Sequence, residues 1–341
     1  MLKQGDDTVP FQVRTVMLYL TERCPLRCKY CYFRYKQGQD LPLAVAHTFI
    51  RSLQANGIRP GLLVFSGGEP VLCWAELRKL IPAIRKAFPL ARLHMQTNGL
   101  LLDASKLLFI QQNRIGLEFG IDGTPETTTR WRRPMGRAGY VRLVRNINIA
   151  QKLGVPVGCT MTVHPQEVRN MPDNLRFLVG LGIKSIDITP AAFMPWTLAD
   201  IKFFKKRYRQ ILNDKLLSKA IYVGSDHDRI QPGVMDLSVH PPGDVLTGDA
   251  FLCVSPSKRR QYSLWDQRTG HFKPEMIELY RRWYGKLWRR PSRPYRDYVS
   301  CSFHLVNRIM GRKYLNVEQI EPIMRFLTRS HLRRTHAAIT D

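Results

Sequence analysis

No apolar run in the sequence approaches the roughly 18–20 residues that a membrane-spanning helix needs, so no span is expected. The start, Met1-Leu2-Lys3-Gln4-Gly5-Asp6-Asp7, has no apolar signal region and no cleavage site after it. A cytoplasmic location is therefore expected. Paired cysteines are also lacking. Seven is an odd number, and in a chain of 341 residues it argues against a secreted disulfide framework. Acidic residues are scarce: 27 Asp and Glu face 53 Lys and Arg, a net charge of +26. That excess favours an anionic partner such as nucleic acid, an acidic peptide or a membrane surface, although a solvated basic face accounts for it equally well. No internal repeat or low-complexity tract stands out. With 44% hydrophobic and 23% charged residues, the composition excludes a wholly disordered chain and supplies a large core.

Strand-like and helix-like segments alternate from about residue 15 to 213. Strands are expected over Thr15–Thr21, Leu62–Phe65, Leu93–Thr97, Ile115–Ile121, Val155–Val163 and Ile183–Thr189. Helices are expected over Leu43–Asn56, Trp74–Ala87, Ser105–Gln111, Tyr140–Leu153, Asn170–Leu181 and Leu198–Asn213. Six βα units in a row build a parallel sheet with helices outside, because such crossovers are right-handed. The expected fold class is α/β: a partial (β/α)6 TIM-like barrel with a smaller α+β C-terminal extension, a flat doubly wound sheet being the alternative. The alternation stops near residue 214, which gives a core of 1–213 and an extension of 214–341. In either architecture ligands gather at the C-terminal strand ends.

Three cysteines crowd the loop after the first strand. Cys24, Cys28 and Cys31 have a CxxxCxxC spacing, and thiolates are soft ligands for zinc or iron–sulfur centres. A structural zinc site normally takes four ligands, commonly as two separated pairs. No second pair exists here, and nothing marks His47 as a fourth ligand. Three thiolates on a cubane leave one iron open for chemistry. Buried small hydrophobes are the bland alternative, but a loop rich in Arg and Lys makes a poor core. The second strand ends in Ser66-Gly67-Gly68-Glu69-Pro70, where paired glycines allow close backbone approach to a ligand and Glu69 can accept from an ammonium.

The cysteine triplet, with Tyr30 before its last member and Leu18–Arg23, Tyr32 and Phe33 flanking it, resembles the CxxxCxΦC signature of the radical S-adenosylmethionine (SAM) superfamily. Gly67-Gly68-Glu69-Pro70 resembles its GGEP motif. The resemblance spans residues 14–213. It implies that Cys24, Cys28 and Cys31 bind one [4Fe–4S] cluster whose open iron chelates SAM. An external electron donor then drives release of a 5′-deoxyadenosyl radical. It further implies that Gly67, Gly68 and Glu69 contact the methionine amino group, with Tyr30, Asn98, Gly120, Asp122, Arg132 and Thr160 lining the cofactor site. Gly120 stands where relatives often carry serine. Arg130 and Arg132 both lie where a partner for the SAM carboxylate is expected, with Arg132 favoured. A solvated charge run and plain β-branched strand filling remain open for the arginines and Thr160 respectively.

The core motifs resemble the peptide- and sulfatase-maturase branch. Leu237–Val245 faintly resembles the hairpin of its cysteine-rich SPASM domain, but the tail here has only Cys253 and Cys301, so no complete auxiliary cluster is expected. Cys73 and Cys159 read as core thiols. Asp226-His227-Asp228 reads as a polar loop rather than a metal triplet. The Arg281–Arg290 stretch interleaves cations with aromatics, as an amphipathic helix or a nucleic-acid contact would. The expected function is radical modification of a peptide or protein side chain, with a separate leader-binding protein as a candidate partner. The alternatives are a radical SAM enzyme acting on RNA and a non-enzymatic basic protein with a structural cluster.

Overall fold

A computed structural model describes residues 12–31, 33, 36–191, 194–221, 234–247, 256–288, 322–323 and 326–327. Cys253, Cys301, Asp226-His227-Asp228 and most of the helix expected over Val317–His331 lie outside the described residues, as do the side chains of the Arg281–Arg290 stretch other than Arg282.

The elements in chain order are β1 (Gln12–Thr21), α1 (Leu43–Ala55), β2 (Leu62–Gly67), α2 (Trp74–Ala87), β3 (Arg92–Thr97), α3 (Ala104–Gln112) and β4 (Ile115–Gly120). They continue with α4 (Pro125–Trp131), α5 (Gly136–Lys152), β5 (Val157–Val163), α6 (Met171–Gly180), β6 (Ile186–Pro190), α7 (Leu198–Asn213) and α8 (Lys215–Ala220). The extension adds β7 (Val234–His240), β8 (Asp244–Thr247), α9 (Pro256–Gln261), two short strands at Trp265–Asp266 and His271–Phe272, and α10 (Pro274–Trp288). The fold class is the expected α/β one: six βα units of the partial TIM-barrel kind, then an extension. No described helix is long and apolar enough to cross a membrane.

Contacts group the chain into two units: residues 1–24, 33–96 and 231–291 in one, and 25–32, 97–230 and 292–341 in the other. A cut at residue 214 does not follow this grouping, because 231–291 joins the first strands. In the first unit the strand order is β3-β2-β1-β7-β8. Strand β1 is parallel to both neighbours, with Leu18 beside Phe65 on one side and Val239 on the other. Side chains alternate between the two faces of a strand, so the burial of consecutive Leu18, Tyr19 and Leu20 means that both faces of β1 are covered, and such a strand reads as a nearly continuous apolar run. Each such side chain contributes roughly 1.5–3 kcal/mol. Strand β8 returns antiparallel to β7. In the second unit β4, β5 and β6 are parallel neighbours in that order.

Several elements differ from the sequence reading: β1 begins at Gln12 rather than Thr15, and β6 at Ile186 rather than Ile183. Helix α4 was not expected, since its Thr127-Thr128-Thr129 run lowers helix propensity. It forms because the Thr124 hydroxyl caps Thr127 N–H at 3.3 Å and Thr127, Thr128 and Trp131 are buried. Helix α5 begins at Gly136 rather than Tyr140. Strand β5 begins at Val157 rather than Val155, directly after Pro156, which has no N–H to give a ladder.

Candidate functional site

The cysteine loop leaves the end of β1 through a closed stem in the first unit. Thr21–Arg23 runs antiparallel to Gln39–Leu41: Glu22 N–H donates to Gln39 O at 2.8 Å and Leu41 N–H to Leu20 O at 2.8 Å. Asp40 accepts from Thr21 Oγ1 at 2.5 Å and from Arg23 Nε at 3.0 Å. The turn after β2 packs on this stem. Gly68 N–H donates to Thr21 O at 2.7 Å, and Glu69 N–H to Arg23 O at 2.9 Å. A Cβ on Gly68 would collide with the carbonyls of Glu22 and Arg23, and one on Gly67, at φ +129°, with that of Thr21. Both glycines are therefore required by this close approach. Glu69 has no exposed surface, and its carboxylate accepts Val71 N–H at 3.2 Å, capping the short turn Pro70–Cys73.

In the second unit the rest of the loop lies along the segment after α4. Arg27 N–H donates to Arg133 O at 2.5 Å and Lys29 N–H to Trp131 O at 3.0 Å. Tyr30 is buried, and its hydroxyl donates to Asp122. Asp122 also accepts from Arg132 Nε at 3.0 Å and Nη2 at 2.8 Å, and from Thr162 N–H at 3.0 Å. The Arg132 guanidinium lies 5.6 Å from the centre of the Tyr30 ring. Burial pushes the Tyr30 phenol well above its ordinary pKa, and the negative charge of Asp122 adds to that. Burial works against the Arg132 charge, but attraction to Asp122 outweighs it and keeps the guanidinium firmly protonated.

The structure thus gathers four of the expected site residues around Arg132: Tyr30, Asp122, Gly120 and Thr160. Gly120 is explained sterically, because a side chain there would strike the Arg132 guanidinium. Thr160 offers its carbonyl to Arg132 Nη2 at 3.5 Å while its hydroxyl pairs with Glu118. The expected use of Arg132 as a partner for a ligand carboxylate meets a competitor in the fold, since Asp122 takes two of its nitrogens. Arg130 goes elsewhere, to Glu167 at 2.8 Å. Asn98 is not brought into this group. Its Oδ1 accepts Leu100 N–H at 2.9 Å in the turn after β3.

Sequence reasoning missed the supports of the loop. Trp131 stacks on His164 at 3.5 Å and donates its indole N–H to Glu167 at 3.1 Å, while Lys29 sits 5.2 Å from the centre of the Trp131 ring. Burial lowers the His164 pKa, so it stacks as the neutral ring. The signal available was a tryptophan inside a charge run, where a solvated helix face has no use for one.

Three thiols on one loop are the donor chemistry an iron–sulfur cluster takes, although among the described residues no three His, Cys, Asp or Glu side chains are gathered closely enough to hold a metal ion. Cys24, Cys28 and Cys31 are partly exposed and outside any disulfide. Cys73 and Cys159 are buried, and burial pushes the first up to about 11 and the second well above the ordinary thiol value. Burial thus keeps those two protonated, and the three thiols left on the loop stand at CxxxCxxC spacing.

Residues 18–179 match the profile of the radical SAM superfamily. They form a radical SAM domain. An uncharacterized protein of Methanocaldococcus jannaschii is 25% identical over 253 residues, covering 71% of this chain and 85% of its own. The Fe-coproporphyrin III synthase of Methanosarcina barkeri is 30% identical over 163 residues, 46% of this chain and 39% of that enzyme. The PqqA peptide cyclase of Gluconobacter oxydans is 25% identical over 196 residues, 56% of this chain and 53% of the cyclase. Among solved structures, anSMEcpe with bound AdoMet and a peptide aligns with TM-score 0.60 and 18% identity over 78% of this chain and 80% of its own. Streptococcus suis SuiB bound to precursor peptide SuiA aligns with TM-score 0.54 and 15% identity over 72% and 61%. These structures share the fold of the radical SAM domain and its extension. The chain carries a radical SAM domain over residues 18–179, and that superfamily implies SAM and an iron–sulfur cluster.

Proposed function

We propose that this radical SAM enzyme modifies a side chain of a peptide or protein. Cys24, Cys28 and Cys31 would hold one [4Fe–4S] cluster, and Gly67, Gly68 and Glu69 would receive the amino group of SAM. Bound together, cluster and SAM supply, after reduction by an external donor, a primary carbon radical able to take a hydrogen atom from an unactivated carbon. The chain's own residues do the rest. In the first unit the Gly67–Glu69 turn is fixed against the stem. In the second, Asp122 and Arg132 fix Tyr30, and Asn98, Gly120 and Thr160 remain proposed cofactor contacts.

The observation that carries the cofactor assignment is the backbone pairing of the Gly68-Glu69 turn with Thr21–Arg23, immediately before Cys24. Two motifs 36 or more residues apart in sequence are bonded in one place. Support for a peptide substrate comes from the PqqA peptide cyclase and from the peptide-bound anSMEcpe and SuiB folds. A second reading, a tetrapyrrole substrate, is supported by the 30% identity to Fe-coproporphyrin III synthase.

One experiment addresses both. The anaerobically reconstituted protein is reduced with dithionite and given SAM with either a candidate precursor peptide drawn from the short open reading frames beside its gene or iron-coproporphyrin III. Release of 5′-deoxyadenosine together with a mass change in the peptide supports the proposal. Turnover of the porphyrin alone favours the second reading. Replacing Cys24, Cys28 and Cys31 together by Ala removes the brown colour and the 5′-deoxyadenosine if the cluster assignment holds. A colourless parent protein carrying stoichiometric zinc would overturn it.

A further inference from the structure

The C-terminal extension meets the stem of the cysteine loop through a fully buried ion pair. Arg259 in α9 and Glu22, two residues before Cys24, both have no exposed surface. Arg259 Nη2 donates to Glu22 Oε1 at 2.8 Å. The other Glu22 oxygen accepts the backbone N–H groups of Gln37 at 2.6 Å and Gln39 at 3.4 Å. Phe33, two residues after Cys31, has its ring centre 6.0 Å from the Arg259 guanidinium and 6.4 Å from the ring of Tyr19. One carboxylate and one guanidinium therefore contact the chain on both flanks of the motif: Glu22 before it, and Phe33, Gln37 and Gln39 after it.

This arrangement is a poor device for stability. A buried ion pair repays its desolvation only when its remaining donors are satisfied. Arg259 Nε and Nη1 are buried with no hydrogen-bond partner among the described residues. An apolar side chain of similar volume would serve a plain core better. What the pair supplies instead is direction: a carboxylate held from one side by a guanidinium can hold two backbone N–H groups on the other at a fixed place.

We propose that Arg259 and Glu22 are a positioning pair by which the cysteine-poor extension fixes the span between the two flanks of the cysteine loop, so that the loop retains its cluster. The proposal rests on the reading that Cys24, Cys28 and Cys31 hold that cluster. Its effect is on the lifetime and environment of the bound iron, not on the chemistry of the radical.

The test compares reconstituted parent protein with Arg259→Met and with the double variant Glu22→Gln/Arg259→Met. The double variant removes both charges, keeps an acceptor at position 22, and avoids the misfolding that a lone buried Glu22 would cause. Iron release to a chelator and the electron paramagnetic resonance spectrum of the reduced cluster, with and without SAM, are measured beside thermal unfolding. The expected result is a double variant that unfolds within a few degrees of the parent, loses iron at least about tenfold faster and shows an altered spectrum, since a hydrogen bond to a charged group has been lost. A folded double variant that keeps its iron as long as the parent, with an unchanged spectrum, overturns the proposal. A parent that takes up no iron overturns the underlying cluster assignment instead, so the two failures are told apart.

Discussion

Replacing Asp122 by Ala tests the electrostatic centre of the second unit. The Asp122 side chain is 1% exposed and that of Arg132 10%, so neither charge has appreciable water. The substitution removes two hydrogen bonds from Arg132, one from the Tyr30 hydroxyl and one from Thr162 N–H. Removing one partner of a buried pair costs about 3–5 kcal/mol, because the remaining charge is stranded. Each orphaned neutral donor would cost about 1–3 kcal/mol more if it stayed dry, but water entering the vacated space limits that addition. We take about 3–5 kcal/mol as the total, a large part of the roughly 5–15 kcal/mol that holds a domain folded. In urea, at the upper end of the usual slopes, the midpoint falls by roughly 1–2 M.

The double variant Asp122→Ala/Arg132→Met removes both charges and is expected to recover about 2–3 kcal/mol relative to the sum of the two single changes. Urea unfolding of the four proteins, followed by tryptophan fluorescence, measures the cycle. A midpoint shift under about 0.3 M for Asp122→Ala, or strict additivity in the double variant, would refute the reasoning. Because Asp122 also anchors Tyr30, the single variant is expected to hold less iron after reconstitution at a temperature where it is still folded.

Gly68→Ala places a methyl group against the carbonyls of Glu22 and Arg23; overpacking of this kind costs about 1–3 kcal/mol, so the urea midpoint should fall by roughly 0.3–1 M, and because the methyl displaces the stem that Glu22 and Arg259 hold, iron release to a chelator should quicken. Asp244 is 4% exposed, and burial raises its pKa from 3.8 to about 6. A carboxyl raised on folding binds more protons in the native state, so its contribution to stability is present at low pH and is lost as pH rises from about 4 to 6. Asp244→Asn should therefore gain on the parent across that window, by up to roughly 3 kcal/mol at pH 7, and level off above it. Taking the difference between the two proteins removes His240, whose burial lowers its pKa and acts with the opposite sign; a difference flat with pH would count against the buried carboxyl. If the +26 charge serves RNA, binding to transfer RNA must fall steeply between low and physiological salt, and a flat response would end the RNA alternative.

The site was legible in parts. The cysteine spacing and the Gly67-Gly68-Glu69 turn could be read because their chemistry is local: eight residues carry three thiols, and a glycine pair after a strand needs no distant partner to mean close approach. Arg132 was favoured over Arg130 in sequence, but nothing there named the partner of either. Both belong to the same charge run, and only the fold shows that Arg132 reaches Asp122 while Arg130 turns to a half-exposed pairing with Glu167. Gly120 was read as a departure from the family serine; the Arg132 guanidinium occupying the adjacent space supplies the reason.

The amino-acid order alone determined the α/β class, the six βα units and the soft-ligand loop, because apolar periodicity and ligand spacing are properties of short stretches. Tertiary structure decided which charges are buried and with whom. Glu22 and Arg259 are 237 positions apart, and a carboxylate or guanidinium has the same local signature whether it ends in water or sealed against its opposite. Desolvation sets that difference, and desolvation depends on what packs around a group rather than on its neighbours in the chain.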